Sequence, residues 1–303
     1  GGGGGLGGGG GVGDAGAGCR MRGARARGGG GGGRGAWGGR AMRRVLAVAR
    51  VVWLEMLRRK EPYVVAVMLA ALLGLLLSVD VFGIGGAVRY VMDIGLLAAW
   101  IFSLVLAVAG ACRQLPDEER RGTVFPLLAK PLTRLEMICG KWLGAWSAAS
   151  CAGAVFFLAV GVVVKGRGGA FDWLTLAQGW VVCSAGLAAV AAMGMALSTR
   201  MSFGAASSVS WTMLAASFFM LPRIPERVLG APRANAAILS LLYYALPHFE
   251  LFDMRLRIVH RWGNIPARAL ALLLAYGAVL TSLGLCAAWL AYRNKRLERG
   301  GVS

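Results

Sequence analysis

Six apolar stretches of about 20 residues each constrain the fold of this chain more than any other feature of its sequence. The chain is 57% hydrophobic over 303 residues and its mean hydropathy is +0.63, which is too apolar for a soluble domain of this length. A helix of about 20 apolar residues crosses a hydrocarbon core of about 30 Å. We therefore predict an all-α polytopic membrane protein with six transmembrane helices. The predicted spans are Tyr63–Phe82, Tyr90–Cys112, Trp142–Val164, Trp173–Leu197, Gly204–Leu221 and Ala269–Tyr292.

The net charge of +19 is compatible with either nucleic acid or an anionic lipid surface as a partner. The apolar content favours lipid, because basic loops hold membrane helices in position next to anionic headgroups. We therefore expect contact with membrane lipids and no nucleic-acid partner.

Residues 1–41 form a glycine-rich tail that contains 23 of the 47 glycines. Such a segment buries too little apolar surface to offset its ordering entropy, so we expect it to be disordered. The first residue is Gly, and Met42 reads like a natural start, which raises the question of whether the tail is native. A glycine-rich RNA-binding tail is the alternative, although Trp37 is its one aromatic residue for base stacking.

Residues 42–61 are predicted to form an amphipathic helix at the membrane interface, which Pro62 ends. Apolar side chains gather on one face and arginines lie elsewhere, a pattern typical of an interfacial helix beside anionic lipid. The predicted apolar face consists of Val45, Val48, Ala49, Val52, Trp53 and Met56.

The distribution of Lys and Arg predicts the orientation. With the N-terminus inside, residues 42–61, 113–141, 198–203 and 293–303 hold 17 Lys and Arg, and the outer segments hold 10. Seven of those ten lie in residues 222–268, a long loop that weighs less in the positive-inside rule. Within it, Ala236–Leu246 is too short to cross and is predicted to be re-entrant or interfacial. We therefore expect a multi-pass plasma (inner) membrane protein with cytosolic N- and C-termini.

A charged segment, residues 113–141, separates the second predicted span from the third. Thr133 and Glu136 match a capping box, so a helix is predicted to begin at Thr133 and to continue into the third span. Upstream, the acidic residues after Pro116 are predicted to lie at the N-terminus of a short helix, where they complement the helix dipole. The simpler alternative is an ordinary solvated loop with capped helices.

Polar residues within the spans have two interpretations each. Ser207, Ser208 and Thr212 of the fifth span either line a polar pathway or hydrogen-bond to helices and backbone. Asp93 is predicted to lie near the outer surface and to pair with Arg89. His248 is predicted to belong to a capped turn rather than a metal or proton site. A stripe in the fourth span is predicted to permit close helix packing: Ser184, Ala188, Ala192 and Ala196.

The segment from Glu119 to Arg134, together with Gly140-Lys141, resembles the motif of permease subunits of type-2 ABC exporters. The six-span layout, the amphipathic helix and the re-entrant element are also similar to that family. The resemblance implies that residues 113–141 form a cytosolic coupling segment that docks on a separate ABC ATPase and transmits its closure to the spans. It also implies a homodimer or a heterodimer with a second permease. The coupling residues that it implies are Glu118, Glu119, Arg121, Gly122, Thr123, Leu127, Leu128, Pro131, Arg134 and Lys141.

We expect no cofactor, no metal site and no catalytic residue on this chain. The sequence has no G-x-x-x-x-G-K-[ST] motif, because Gly140-Lys141 is followed by Trp142. ATP and magnesium would therefore be bound by the partner ATPase. The six cysteines show no metal-ligand spacing.

Two other classes of function compete with transport. A non-transporting membrane scaffold or sensor would use the same cytosolic docking segment. An intramembrane enzyme would need a buried nucleophile with a base, and neither His248 nor His260 lies in a predicted span. Measuring activity in Ser208→Ala and His248→Ala would test this alternative.

Overall fold

The structure, a computed structural model, describes residue 1 and residues 33–58, 61–78, 88–121, 133–230 and 232–293. These residues form α-helices joined by short turns, and no strand occurs among them, which confirms the predicted fold class. The α-helices are α1 (Gly33–Arg58), α2 (Glu61–Ser78), α3 (Val88–Arg121), α4 (Arg134–Gly166), α5 (Trp173–Ser198), α6 (Phe203–Ala215), α7 (Ile224–Gly230), α8 (Arg233–Ala245), α9 (Arg255–Val259) and α10 (Ala267–Arg293).

Five regions of the described chain are long and apolar enough to cross a membrane: Val88–Pro116, Arg134–Gly166, Trp173–Ser198, Phe203–Val228 and Ala267–Arg293. They correspond to the second to sixth predicted spans. The fifth runs past its predicted end at Leu221, because α6 continues through a π-helical turn (Ala216–Met220) and a 3-10 turn (Leu221–Arg223) into α7. The first predicted span corresponds to α2, whose apolar part, Tyr63–Ser78, is shorter than the others. Its predicted end, residues 79–82, lies outside the described residues.

Helix α5 lies at the centre of the bundle, where it packs against α3, α4 and α10. Its position is fixed by two stacked indoles of α4: Trp142 Nε1 donates to Ala188 O at 2.9 Å and Trp146 Nε1 donates to Ser184 O at 2.8 Å. On its other side, a methyl group on Gly284 of α10 would lie 2.9 Å from Ala192 Cβ. The small-residue stripe predicted in this span is therefore confirmed as a packing surface.

Residues 222–230 and 232–268 contain short helices that follow the end of α6. Helices α7 and α8 pack against each other, and α8 covers most of the segment predicted to be re-entrant or interfacial. Its apolar side chains Ile238, Leu241 and Tyr244 are exposed. The chain then returns to the bundle, where Phe252 packs on Gly186 of α5 and stacks on Tyr276 of α10. That α8 is re-entrant stays a prediction.

Helix α1 begins at Gly33, so residues 33–41 of the segment expected to be disordered are helical. Good helix formers such as Ala36, Arg40 and Ala41 lie between the glycines and extend the helix backward from Met42. Residues 2–32 lie outside the described residues.

Candidate coupling site

Helix α4 begins at the capping box that the sequence predicts. Glu136 N donates to Thr133 Oγ1 at 3.2 Å, and Thr133 N donates to Glu136 Oε2 at 2.9 Å. From Arg134 the helix runs without a break to Gly166, which is 33 residues. At 1.5 Å per residue this rod is about 50 Å long, so it exceeds a hydrocarbon core of about 30 Å. The end of the charged segment and the third span are therefore one rigid element.

The prediction that a new helix begins after Pro116 is wrong. Helix α3 continues through Pro116 and ends at Arg121, so Glu118, Glu119 and Arg121 lie in its last turns. A proline removes one backbone hydrogen bond and disfavours the helix. Here the helix is already formed upstream and is followed by residues with good helix propensity, so it continues.

Five of the implied coupling residues lie in residues 122–132, outside the described residues. Their proposed role stays a prediction. They are Gly122, Thr123, Leu127, Leu128 and Pro131.

Arg134, the first residue of α4, binds the end of α10. Its Nη1 donates to Tyr292 O at 3.1 Å and to Arg293 O at 3.0 Å. Its guanidinium also lies over the Tyr292 ring, 5.7 Å from the centroid. A cation of α4 therefore binds two successive backbone carbonyls in the last described turn of α10. No local sequence pattern predicts this contact, because 158 residues separate Arg134 from Tyr292.

Lys141 is buried in the protein, with only 1% of its surface exposed. Its Nζ donates to Gln114 O of α3 at 3.2 Å. A buried cation needs hydrogen-bond partners to offset its lost hydration. Lys141 of the Gly140-Lys141 pair therefore lies inside the helical bundle, against α3, and not on its surface.

Helix α1 packs along the first third of α4. A methyl group on Gly140 would lie 2.6 Å from Val48 Cβ, and one on Gly144 would lie 2.7 Å from Val52 Cβ. Both contacts advance by four residues along each chain, so the two helices run side by side in the same direction. The apolar face predicted for α1 is confirmed, since its six residues are buried or half-buried.

Two polar contacts also join α1 to α4, one at each end of this packed region. Arg44 Nη1 lies 3.7 Å from Glu136 Oε1, and Trp53 Nε1 donates to Ser147 Oγ at 2.7 Å. The start of α4 therefore has bonds to α1, α3 and α10. An apolar cluster beneath it also includes α5, and its buried members are Leu115, Met137, Ile138, Met195, Ala288 and Tyr292. We call this region the Arg134 end of the bundle.

The hydroxyl groups predicted in the fifth span lie on α6. Ser208 and Thr212 are exposed and Ser207 is half-buried. Ser208 Oγ donates to Gly204 O and Thr212 Oγ1 donates to Ser208 O, both at 2.9 Å. Both hydroxyl groups therefore donate to the helix backbone, and both side chains are exposed at the surface of the chain. Only 28% of this span's apolar window is buried, so much of α6 is open to lipid or to another chain.

At the other end of the bundle, Asp93 pairs with Arg255 and not with Arg89. Arg255 Nε lies 3.4 Å from Asp93 Oδ1, and Arg255 Nη2 lies 3.7 Å from Asp253 Oδ2. The prediction of an Asp93–Arg89 pair is wrong, because α9 brings a cation to α3 from a segment far away in sequence. We call this region the Arg255 end.

The turn after α8 is held at the Arg255 end by Ser217. Its Oγ accepts from Phe249 N at 2.8 Å and from Glu250 N at 3.3 Å, and it donates to Glu250 Oε2. His248 N donates to Tyr276 Oη at 3.0 Å, which fits the predicted capped turn. Within the described residues, no group of three or more His, Cys, Asp or Glu side chains is arranged to hold a metal. Ser208 lies nine residues before Ser217 on the same helix, about 13 Å from this turn, so it is not placed to act with His248.

The family model described as ABC-2 family transporter protein matches residues 64–295. This region contains every candidate span and both ends of the bundle. A search of curated proteins finds no match.

Proposed function

The chain belongs to the ABC-2 family of transporter proteins, and from that premise we propose that it is the permease subunit of an ATP-driven exporter. In this proposal it couples to a separate cytosolic ATPase through residues 113–141. The Arg134 end of the bundle then faces the cytosol, and the protein lies in the plasma membrane with both termini inside.

The continuity of α4 with the coupling segment carries this proposal. The capping box fixes the point at which the segment becomes a helix, and that helix has no break up to Gly166. A displacement applied next to Thr133 would therefore tilt or translate the third span as a rod. A flexible linker at this position would absorb the displacement instead.

The contacts of α4 would spread this displacement to other helices. Gly140 and Gly144 bind α1 closely, Lys141 binds the end of α3, and two tryptophans bind α5. Because packed helices shift between discrete arrangements and do not deform continuously, closure of the ATPase would favour one arrangement of the bundle over another. This is the physical basis for alternating access.

The exposed face of α6 supports a second permease as partner, either another copy or a related chain. Ser208 and Thr212 lie on that face with their oxygen atoms available as acceptors. Two such faces opposite one another would line a polar pathway between subunits. A hydroxyl that donates to its own helix backbone is tolerated in lipid before the second permease binds.

ATP and magnesium belong to the partner in this proposal. The motif that cradles phosphate groups in such ATPases does not occur in the sequence. The chain's own contribution is the docking segment, the rigid α4 and the pathway.

The proposal is tested by purifying the full chain from membranes of its native cells after mild cross-linking. We expect a protein with a G-x-x-x-x-G-K-[ST] motif to copurify, and its ATP hydrolysis in liposomes to rise when the permease is present. A double variant, Glu118→Ala with Glu119→Ala, should reduce both quantities. Both acids lie in the last turns of α3, next to the segment that would dock.

The matched control is Glu226→Ala, which removes an exposed acid from α7, near the C-terminal end of the fifth span. It should leave association and hydrolysis unchanged. Normal ATPase association and normal hydrolysis in the double variant would remove the coupling role from these residues. A purified permease without any associated ATPase would favour the scaffold or sensor.

A further inference from the structure

We propose that Arg134 is not a docking residue for the ATPase but an internal link that makes α10 move together with α4. The inference rests on the proposed function, because it names how movement of the coupling segment reaches the last span. The resemblance alone places Arg134 among the residues that face the ATPase. In the structure, Arg134 instead contacts α10 of its own chain.

The donor atoms of Arg134 are directed at the permease itself. One guanidinium nitrogen binds the carbonyl oxygens of two successive residues, Tyr292 and Arg293, at 3.1 and 3.0 Å. The central carbon of the guanidinium lies over the Tyr292 ring, 5.7 Å from the centroid. Because a single nitrogen makes both contacts, they depend on the positive charge and its N–H groups and not on the fork of the guanidinium.

The acceptors are backbone carbonyls in the last described turn of α10. A hydrogen bond from a charged donor is stronger than one between neutral groups. Two such bonds from a neighbouring helix fix the position of this turn of α10 relative to the start of α4.

The link has a specific place in the bundle. Helix α10 packs chiefly on α5, and only 11% of its apolar window is buried. Helices α4 and α10 also contact each other directly, through the apolar cluster that includes Met137, Ile138, Ala288 and Tyr292. To this apolar contact Arg134 adds hydrogen bonds at the point where α4 leaves the coupling segment, one residue after the helix cap Thr133.

The experiment compares Arg134→Gln, Arg134→Lys and the wild type, each as the full chain with its copurified ATPase. Nitroxide labels are placed on cysteines at Leu135 and Leu290, which are 47% and 52% exposed, after the native cysteines have been replaced. The distance between the two labels is measured by double electron–electron resonance, first without nucleotide and then with ATP and vanadate. The amount of ATPase that copurifies and the rate of ATP hydrolysis in liposomes are measured on the same samples.

We expect the wild-type distance between the labels to be the same in both nucleotide states, because the two helix ends move as one unit. Arg134→Gln should keep the wild-type amount of bound ATPase. Its label distance should become nucleotide-dependent, and the stimulation of ATP hydrolysis should fall about tenfold, the effect of losing a hydrogen bond from a charged group. Arg134→Lys keeps the cation at the end of α10 and should lie between the two. If Arg134→Gln does not fold, Arg134→Lys carries the same measurements.

The matched control is Arg200→Gln, an exposed arginine in the connection between α5 and α6 at the same end of the bundle. It should behave like the wild type in all three measurements. Loss of ATPase binding in Arg134→Gln would make Arg134 a docking residue and overturn the inference while leaving the proposed function intact. An unchanged label distance with wild-type hydrolysis would also overturn it. If the wild-type chain binds no ATPase, the proposed function fails first and the inference fails with it.

Discussion

Gly140 of α4 lies so close to Val48 of α1 that a methyl group added to it would be 2.6 Å from Val48 Cβ. The same methyl group would be 2.9 Å from the backbone oxygen of Val45. Valine is stiff at its Cβ atom and cannot rotate out of the way, and the oxygen belongs to the backbone. Close packing of α1 on α4 therefore requires a glycine at position 140.

The first prediction concerns this packing. Gly140→Ala should lower the thermal stability of the permease in detergent, by about 1–3 kcal/mol in the free energy of unfolding, because α1 must shift away from α4. Gly74→Ala is the control, since nothing lies within 4 Å of the added methyl group in α2. Equal melting temperatures for the two variants would show that α1 does not pack on α4.

Local patterns in the sequence predicted much of the fold. The apolar face of α1, the capping box at Thr133 and the positions of five spans each depend on residues within a few turns of one another, and all agree with the structure. The prediction that Pro116 separates two helices does not agree with the structure, in which α3 continues through it. The sequence rule considers only the local cost of proline, and this helix is stabilised by its packing upstream.

The contacts of the candidate site could not be predicted, because they join distant segments. Arg134 binds Tyr292 and Arg293, which are 158 and 159 positions further along the chain. Lys141 of α4 binds Gln114 of the neighbouring helix α3. A single sequence shows a charged residue near the end of a span but not what it binds. The same holds for Asp93, where the nearest cation along the helix, Arg89, is not the partner.

The second prediction concerns the buried cation of α4. Lys141→Ala should destabilise the fold by about 2–4 kcal/mol, because it creates a cavity and leaves Gln114 O without this donor. Lys165→Ala is the matched control, since Lys165 lies in the last turn of the same helix and is exposed. Thermal unfolding of both variants provides the measurement. A Lys141→Ala variant as stable as Lys165→Ala would mean that Lys141 is not buried.

The third prediction concerns the ion pair at the Arg255 end. A double-mutant cycle of Asp93→Asn and Arg255→Gln should give a favourable coupling energy of about 0.5–1 kcal/mol, since the pair is only partly shielded from solvent. The coupling should weaken as salt is added. The same cycle with Arg89→Gln in place of Arg255→Gln should give a coupling near zero. A larger coupling to Arg89 would restore the pair predicted from the sequence.

The fourth prediction concerns Ser217, which anchors the turn at Phe249 and Glu250. Ser217→Ala removes the acceptor of two backbone N–H groups and should cost about 1–3 kcal/mol. Hydrogen exchange at those two amides should become faster. Ser208→Ala, whose hydroxyl binds only its own helix backbone, is the control and should change neither quantity. Unchanged protection of the two amides in Ser217→Ala would show that another group holds the turn.

The fifth prediction concerns the orientation on which the coupling role depends. In a chain without its native cysteines, Leu135→Cys should react with a membrane-impermeant maleimide only after the cells are permeabilised, because the proposed function places the start of α4 on the cytosolic side. Trp262→Cys should react in intact cells, since Trp262 is exposed at the opposite end of the bundle. The two positions are 47% and 63% exposed, so a difference in labelling reports the side of the membrane and not burial. Reaction of Leu135→Cys from outside intact cells would place the Arg134 end outside, where no cytosolic ATPase reaches it.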